Sequence, residues 1–193
     1  MTPSRRPLLA TTLLVLLTAG CGSPDDTTAT TATAPSICGK APDLAGTQAE
    51  SGGYALTELT LRPQSDAAPP TVTVGLTSTR TASANGSGYQ VYVVRDGLVV
   101  AAGPMDPTAK DGALAVPAPR VLELTAGKVQ HDIVREPLAL CAGQAWPDLY
   151  AQHGQVEVVL RTRIPAQIPA PSPAYPLDGD LVTRAPFPAA PAA

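Results

Sequence analysis

Two histidines, His131 and His153, and three cysteines, Cys21, Cys38 and Cys141, have the most chemistry to offer in this 193-residue chain. Serine catalysis needs a hydroxyl, an imidazole and a carboxylate within hydrogen-bond reach, often with glycine beside the nucleophile. No Gly-x-Ser-x-Gly occurs. His131 and Asp132 adjoin, but neighbours on a strand point to opposite faces, so adjacency does not make a dyad. His131 shares a face with Val129 and Ile133 and is expected as a strand residue, partly buried or at the surface. His153, in Gln152-His153-Gly154, is expected in a solvated turn. No catalytic residue and no histidine-based metal site is assigned. Asp106, Asp111-Gly112 and Asp178-Gly179-Asp180 set oxygen donors near glycine, yet without the spacing or twelfth-position acid of a Ca²⁺ loop. Turn chemistry explains them, and no metal or cofactor is expected. Trp146 and Tyr150 form the one nearby aromatic pair after Cys141, and Pro147 favours a packed loop over an exposed glycan platform. Asn85-Gly86-Ser87 fits a glycosylation triplet and is read as a flexible loop before Tyr89.

The cysteines have distinct settings. Arg5 and Arg6, the apolar residues 8–17 and the small residues after them have the three parts of an export leader. The apolar run is short of the about 20 residues a bilayer span needs. Leu17-Thr18-Ala19-Gly20-Cys21 resembles the lipobox of bacterial lipoproteins, over this N-terminal segment alone. The resemblance implies cleavage between Gly20 and Cys21, a thioether from the Cys21 sulfur to diacylglycerol, and acylation of the new amine. Ser4-Arg5-Arg6-Pro7-Leu8-Leu9 is also similar to the twin-arginine export motif, though an exported disulfide fits the unfolded route better. Two or three acyl chains exceed what stable attachment needs. The expected location is therefore the extracytoplasmic face of a cell membrane, anchored through Cys21, with an unknown envelope protein or cell-wall ligand as partner. Cys38 and Cys141 lack CxxC spacing and, outside the cytosol, are expected to form a disulfide.

Composition fits that address. The 22 prolines and 16 glycines exceed the usual share for a helical protein, while charged residues are 15% and aromatics 4%. A net charge of −3 leaves no positive field for nucleic acid, and none is expected as a partner. Ten arginines against three lysines, with abundant Ala, Pro and Thr, suggest a GC-rich, actinobacterial-type genome. Residues 22–36 hold no large apolar side chain and are expected to be a flexible tether reaching about 20 Å.

Elements that could position these residues read as strands. Val72, Val74 and Leu76 alternate with threonines, as on a half-buried strand. Residues 89–94 are apolar on both faces, which marks a central strand, and Asp96-Gly97 before a second apolar run predicts a type I′ hairpin. Residues 121–124 and 129–134 flank a turn at 125–128. Val156, Val158, Leu160 and Thr162 alternate near the end, and 56–61 make an opening strand of imperfect alternation. Six to eight short strands and no long helix predict an antiparallel β-sandwich over residues 37–164, after a leader at 1–20 and a tether at 21–36. Residues 165–193 include eight prolines and are expected as a Pro-rich tail that is disordered or, because Tyr175, Leu177, Leu181, Val182 and Phe187 are more apolar content than a spacer needs, docks on its own sheet edge or is offered to a partner.

A second resemblance lies inside the sandwich. Tyr89-Gln-Val-Tyr-Val-Val-Arg-Asp96-Gly97, Val121-Leu-Glu-Leu-Thr-Ala-Gly127 and Leu149-Tyr-Ala-Gln-His-Gly154-Gln-Val-Glu-Val158 are similar to strands of bacterial immunoglobulin-like domains of the intracellular proteinase inhibitor type. It implies an immunoglobulin-like sandwich and maps no inhibitory loop onto a named residue. The expected function is a non-catalytic binding or accessory module at the cell envelope. The alternatives are a proteinase inhibitor and a hydrolase using His131.

Overall fold

A computed structural model of the chain describes residues 33–86, 88–117, 120–135, 137–163 and 180–191. The leader, Cys21 and residues 22–32 lie outside them. Two short strands, β1 (Thr47–Gln48) and β2 (Glu50–Ser51), precede the long pair β3 (Tyr54–Arg62) and β4 (Thr71–Ser78). Then follow β5 (Ala82–Gly86), β6 (Tyr89–Arg95), β7 (Leu98–Gly103), β8 (Arg120–Leu124), β9 (Gln130–Val134) and β10 (Ala139–Leu140). A short helix, α1 (Trp146–Ala151), and a 3₁₀ turn, His153–Gln155, lead into β11 (Val156–Arg163) and β12 (Asp180–Pro186).

These strands make an all-β sandwich. A six-stranded sheet, β1-β12-β11-β6-β7-β10, packs on a four-stranded one, β2-β3-β4-β9, while β5 and β8 form a separate ribbon. Every pairing between named strands is antiparallel except β1 with β12. Val72, Val74 and Leu76 turn inward from β4, as their alternation predicts, and meet Val91, Val93, Val158 and Leu160 of the large sheet. The uneven pattern at 56–61 has a local cause. Pairing shifts by one residue between Leu56 and Glu58, a β-bulge that returns Leu59 to the core side. Asp96 at φ 53° and Gly97 at φ 79° form the turn between β6 and β7, with Arg95 opposite Leu98, as a type I′ hairpin requires.

The large sheet is buried on both faces. On the side away from the small sheet, Tyr92, Val94, Val99, Ala102 and Val159 form a second cluster under Ile37, Cys38 and Leu44. Residues 33–46 are thus a strap across that outer face. It is tied to β7 by Gly39 N–H donating to Val99 O at 3.0 Å and Val99 N–H donating to Lys40 O at 2.9 Å. At its far end Thr47 pairs in parallel with Asp180 of β12.

Several expectations differ from this arrangement. Of the outcomes open for the tail at 165–193, its described part takes the docked one and not disorder: β12 pairs with β11 from Asp180 to Pro186, and Leu181 and Phe187 are buried in the main core. Their apolar surface offsets the ordering entropy that the surrounding prolines suggested could not be met. Residues 164–179 and 192–193 lie outside the described residues. Asn85 and Gly86, expected in a loop, belong to β5, because 82–86 pair with 120–124. Residues 33–36, assigned to the tether, join the domain: Pro35 is buried, and Ser36 N–H donates to Gly112 O at 2.7 Å. The turn at 125–128 occurs as expected, but its flanking strands diverge, β8 to the ribbon and β9 to β4.

Candidate functional site

The chain's described chemistry is spread over four places. The first is the cystine. Cys38 on the strap and Cys141, just after β10, are bonded with Cα atoms 5.6 Å apart and a sequence separation of 103. Cys141 N–H donates to Val100 O at 2.9 Å, so its backbone extends the β10 edge alongside β7. The bond therefore joins the strap to the outer face of one sheet and does not cross between the two sheets. Cys21 and Gly20, the lipidation and cleavage residues, lie outside the described residues.

The second is a carboxylate clasp at the strap's far end. Asp180 receives Arg161 Nε at 2.8 Å and Arg163 Nε at 2.9 Å, with Arg161 Nη2 also in contact. Arg161 Nη1 donates on to Asp43 O at 3.2 Å. Burial alone would raise the Asp180 pKa, but the Arg161 and Arg163 guanidiniums outweigh it and hold the carboxyl below its ordinary range. Tyr92 stands beside this cluster, donating to Gln90 Oε1 at 3.0 Å; its burial raises the phenol pKa against the opposing pull of Arg161. Sequence reading missed the clasp. Arg161 and Arg163 sit two apart on the outward positions of β11, and only the register with β12 brings Asp180 opposite Arg163.

The third is an exposed pair. His131 Nε2 and Glu58 Oε2 are 3.0 Å apart on the outer face of the small sheet, both side chains more than half exposed. Glu58, Gly75 and His131 lie in one row across β3, β4 and β9. The missing side chain at Gly75 leaves the two outer residues free to meet above it. Asp132 points to the other face and pairs with Arg120 at 2.8 Å, so the adjacent His131 and Asp132 do not converge. The group that meets His131 Nε2 is thus a carboxylate from another strand and not a hydroxyl or thiol nucleophile.

The fourth is a cleft of about 600 Å³ at the end of the sandwich where the β6–β7 turn, the 3₁₀ turn and the β11 and β12 ends meet. His153 lines it, with Asp96, Glu157 and Arg184. Arg184 Nη1 and Glu157 Oε1 are paired at 2.8 Å. His153 Nδ1 lies 3.1 Å from Tyr150 O. A carbonyl only accepts, so Nδ1 carries the hydrogen.

Other sequence candidates are structural. Asp106 accepts from Thr108 Oγ1 at 2.7 Å and Thr108 N–H at 2.8 Å, and Asp111 accepts from Ala113 N–H at 3.2 Å, both turn interactions. The Thr108 bonds draw the Asp106 pKa down. Trp146 and Tyr150 are buried around Phe187, with ring centroids 6.4 and 5.0 Å away, and the Tyr150 hydroxyl donates to Ala68 O at 3.0 Å. They are a packed aromatic group and present no platform. Among the described residues, no three His, Cys, Asp or Glu side chains gather as a metal site, and no helix is long and apolar enough to cross a membrane.

No family model matches the chain, nor does any curated protein or solved structure.

Proposed function

We propose that this chain is a membrane-anchored extracytoplasmic lipoprotein whose β-sandwich serves as a non-catalytic binding or accessory module at the cell envelope. The observation that carries the reading is the order of two cysteine sites along the chain: a Leu-Thr-Ala-Gly-Cys segment ending at Cys21, and 17 residues later the first half of a Cys38–Cys141 disulfide. The first resembles an acylation signal. The second belongs to an oxidising compartment, which is where such a signal delivers a protein. The residues between them are small and polar enough to act as a spacer.

The spread of the described side chains supports a binding role over a hydrolytic one. His131 faces Glu58 in the open, away from Asp132. An immunoglobulin-like form of the sandwich belongs to the same proposal and draws support from the strand resemblance between residues 89 and 158.

Expression in a bacterium supplied with a labelled fatty acid tests the anchor. The wild-type chain should take up label and partition into the detergent phase, and its N-terminal peptide should carry a diacylglyceryl group on Cys21. Cys21→Ala should lose both label and partitioning. An unlabelled wild-type chain, or a Cys21→Ala chain that still partitions, overturns the reading.

A further inference from the structure

We propose that the cleft between the β6–β7 turn and the ends of β11 and β12 binds a small amine-bearing ligand, with Asp96 and His153 receiving its ammonium and Ala185 and Pro186 lying against its apolar body. The proposal deepens the binding-module reading and rests on it for the role of such a ligand.

The cavity comes first. At about 600 Å³ it has the size of a small-molecule site. Charge comes second. Arg184 and Glu157 neutralise one another at 2.8 Å, whereas Asp96 has no ion-pair partner among the described residues. The cleft therefore has a net negative lining. Hydrogen-bonding capacity is third. Tyr150 O takes the His153 Nδ1 hydrogen, so that in the neutral imidazole Nε2 is the acceptor left for a ligand. An unpaired carboxylate and an imidazole acceptor select a donor, and an ammonium is the small group with three donors and the complementary charge. A carboxylate or phosphate ligand would meet repulsion from Asp96.

The rim of the cleft is open at its glycines. Gly97 and Gly154 both line the cleft, and a Cβ added at either would meet no atom within 4 Å. Asp96 is held by the turn in the left-handed region, at φ 53°, where Asn is equally tolerated, so its charge can be removed without disturbing the hairpin. Phe187 also lines the cleft and stacks on Trp146, the single tryptophan of the chain, at 6.4 Å between ring centroids. The protein thus has a built-in fluorescent reporter one ring away.

Trp146 emission of the full chain in detergent micelles is titrated with cyclohexylamine, cyclohexanol and cyclohexanecarboxylate. Saturable binding of the amine in the millimolar range, at least about tenfold tighter than the alcohol, and no response to the carboxylate are expected. Asp96→Asn should bring the amine to within about twofold of the alcohol, and Gly154→Leu, which adds bulk at a lining position, should weaken both responses with the far-ultraviolet circular dichroism unchanged. Equal binding of amine and alcohol by the wild type, an unchanged amine affinity in Asp96→Asn, or no saturable response to any probe overturns the proposal. If Gly154→Leu fails to fold, the Asp96→Asn comparison decides alone. None of these outcomes bears on fatty-acid labelling at Cys21, so failure of the cleft and failure of the anchor are separately visible.

Discussion

Strand β11 meets two different solutions to the same problem on its two faces. Val158 and Leu160 point into a core made with another sheet, where Val72, Val74 and Leu76 supply a continuous apolar wall. Val159, between them, points outward and is equally buried, yet its cover is a strap whose apolar contribution is Ile37, Cys38 and Leu44. A sheet brings its own ladder of backbone hydrogen bonds and loses entropy cooperatively. A strap must be ordered residue by residue, at roughly 1–2 kcal/mol each for the backbone, with few side chains to offset that. The difference explains where the covalent bond is. Cys38–Cys141 ties down the weaker layer, and the Asp180 clasp holds the strap's other end through Arg161 and Asp43.

Removing the bridge should break the comparison most strongly. Replacing both cysteines with serine frees a loop of about 100 residues in the unfolded chain and is expected to lower stability by about 2–4 kcal/mol. Denaturant unfolding followed by Trp146 emission measures it. The finer test sets two neighbours against each other. Val158→Ala and Val159→Ala remove the same atoms from opposite faces, and with the disulfide intact each should cost about 2 kcal/mol. In the double-serine background the Val158 penalty should persist, while the Val159 penalty should fall to less than half, because the strap no longer closes over it. Equal penalties in both backgrounds would show that the strap stays seated without its bond.

The other end of the strap should respond to acid. Asp180 is held below its ordinary value by Arg161 and Arg163 despite burial, so the folded chain binds this proton less readily than the unfolded one. Its stabilisation is therefore complete above the unfolded pKa and is lost as pH falls through the lower folded value. Amide exchange at Gln48, in the pairing with β12, and at Thr47, whose N–H donates to Leu44 O at 3.1 Å in the strap, should accelerate on acidification before exchange at Val158 does. Asp180→Asn should show fast exchange there at every pH and a stability loss of about 1.5–3 kcal/mol. If the Thr47 and Gln48 amides in wild type hold their protection until the core opens, the clasp does not secure the strap.

Legibility in the sequence follows the same division. The main core is readable because period-two alternation in residues 72–76 and 156–162 reports a half-buried sheet directly, and Asp96-Gly97 fixes one hairpin by its backbone requirement. The cysteine pairing is readable from count and the expected compartment, but its place on one outer face is not, since a strap has no period. β12 is hidden by prolines on both sides, and its content becomes meaningful only beside β11. His131 falls on the expected kind of element, while its partner Glu58 is 73 residues away and follows from two register relations and a bulge. Long-range register is what local pattern leaves open.

The smallest effects belong to the face that no described residue covers. Glu58 and His131 meet over Gly75 in water, where an ion pair gains little Coulomb energy and loses side-chain freedom. A double-mutant cycle on His131→Gln and Glu58→Gln should give a coupling below about 1 kcal/mol. Gly75→Ala should do more than either, because its Cβ would lie 3.0 Å from both Thr57 Oγ1 and Val129 Cγ1, and displacing them should cost about 1 kcal/mol or somewhat more. The order matters. If the exposed pair outweighed the glycine, this face would be held by its charges, and the contrast between covered and open faces of the sandwich would need another cause than packing.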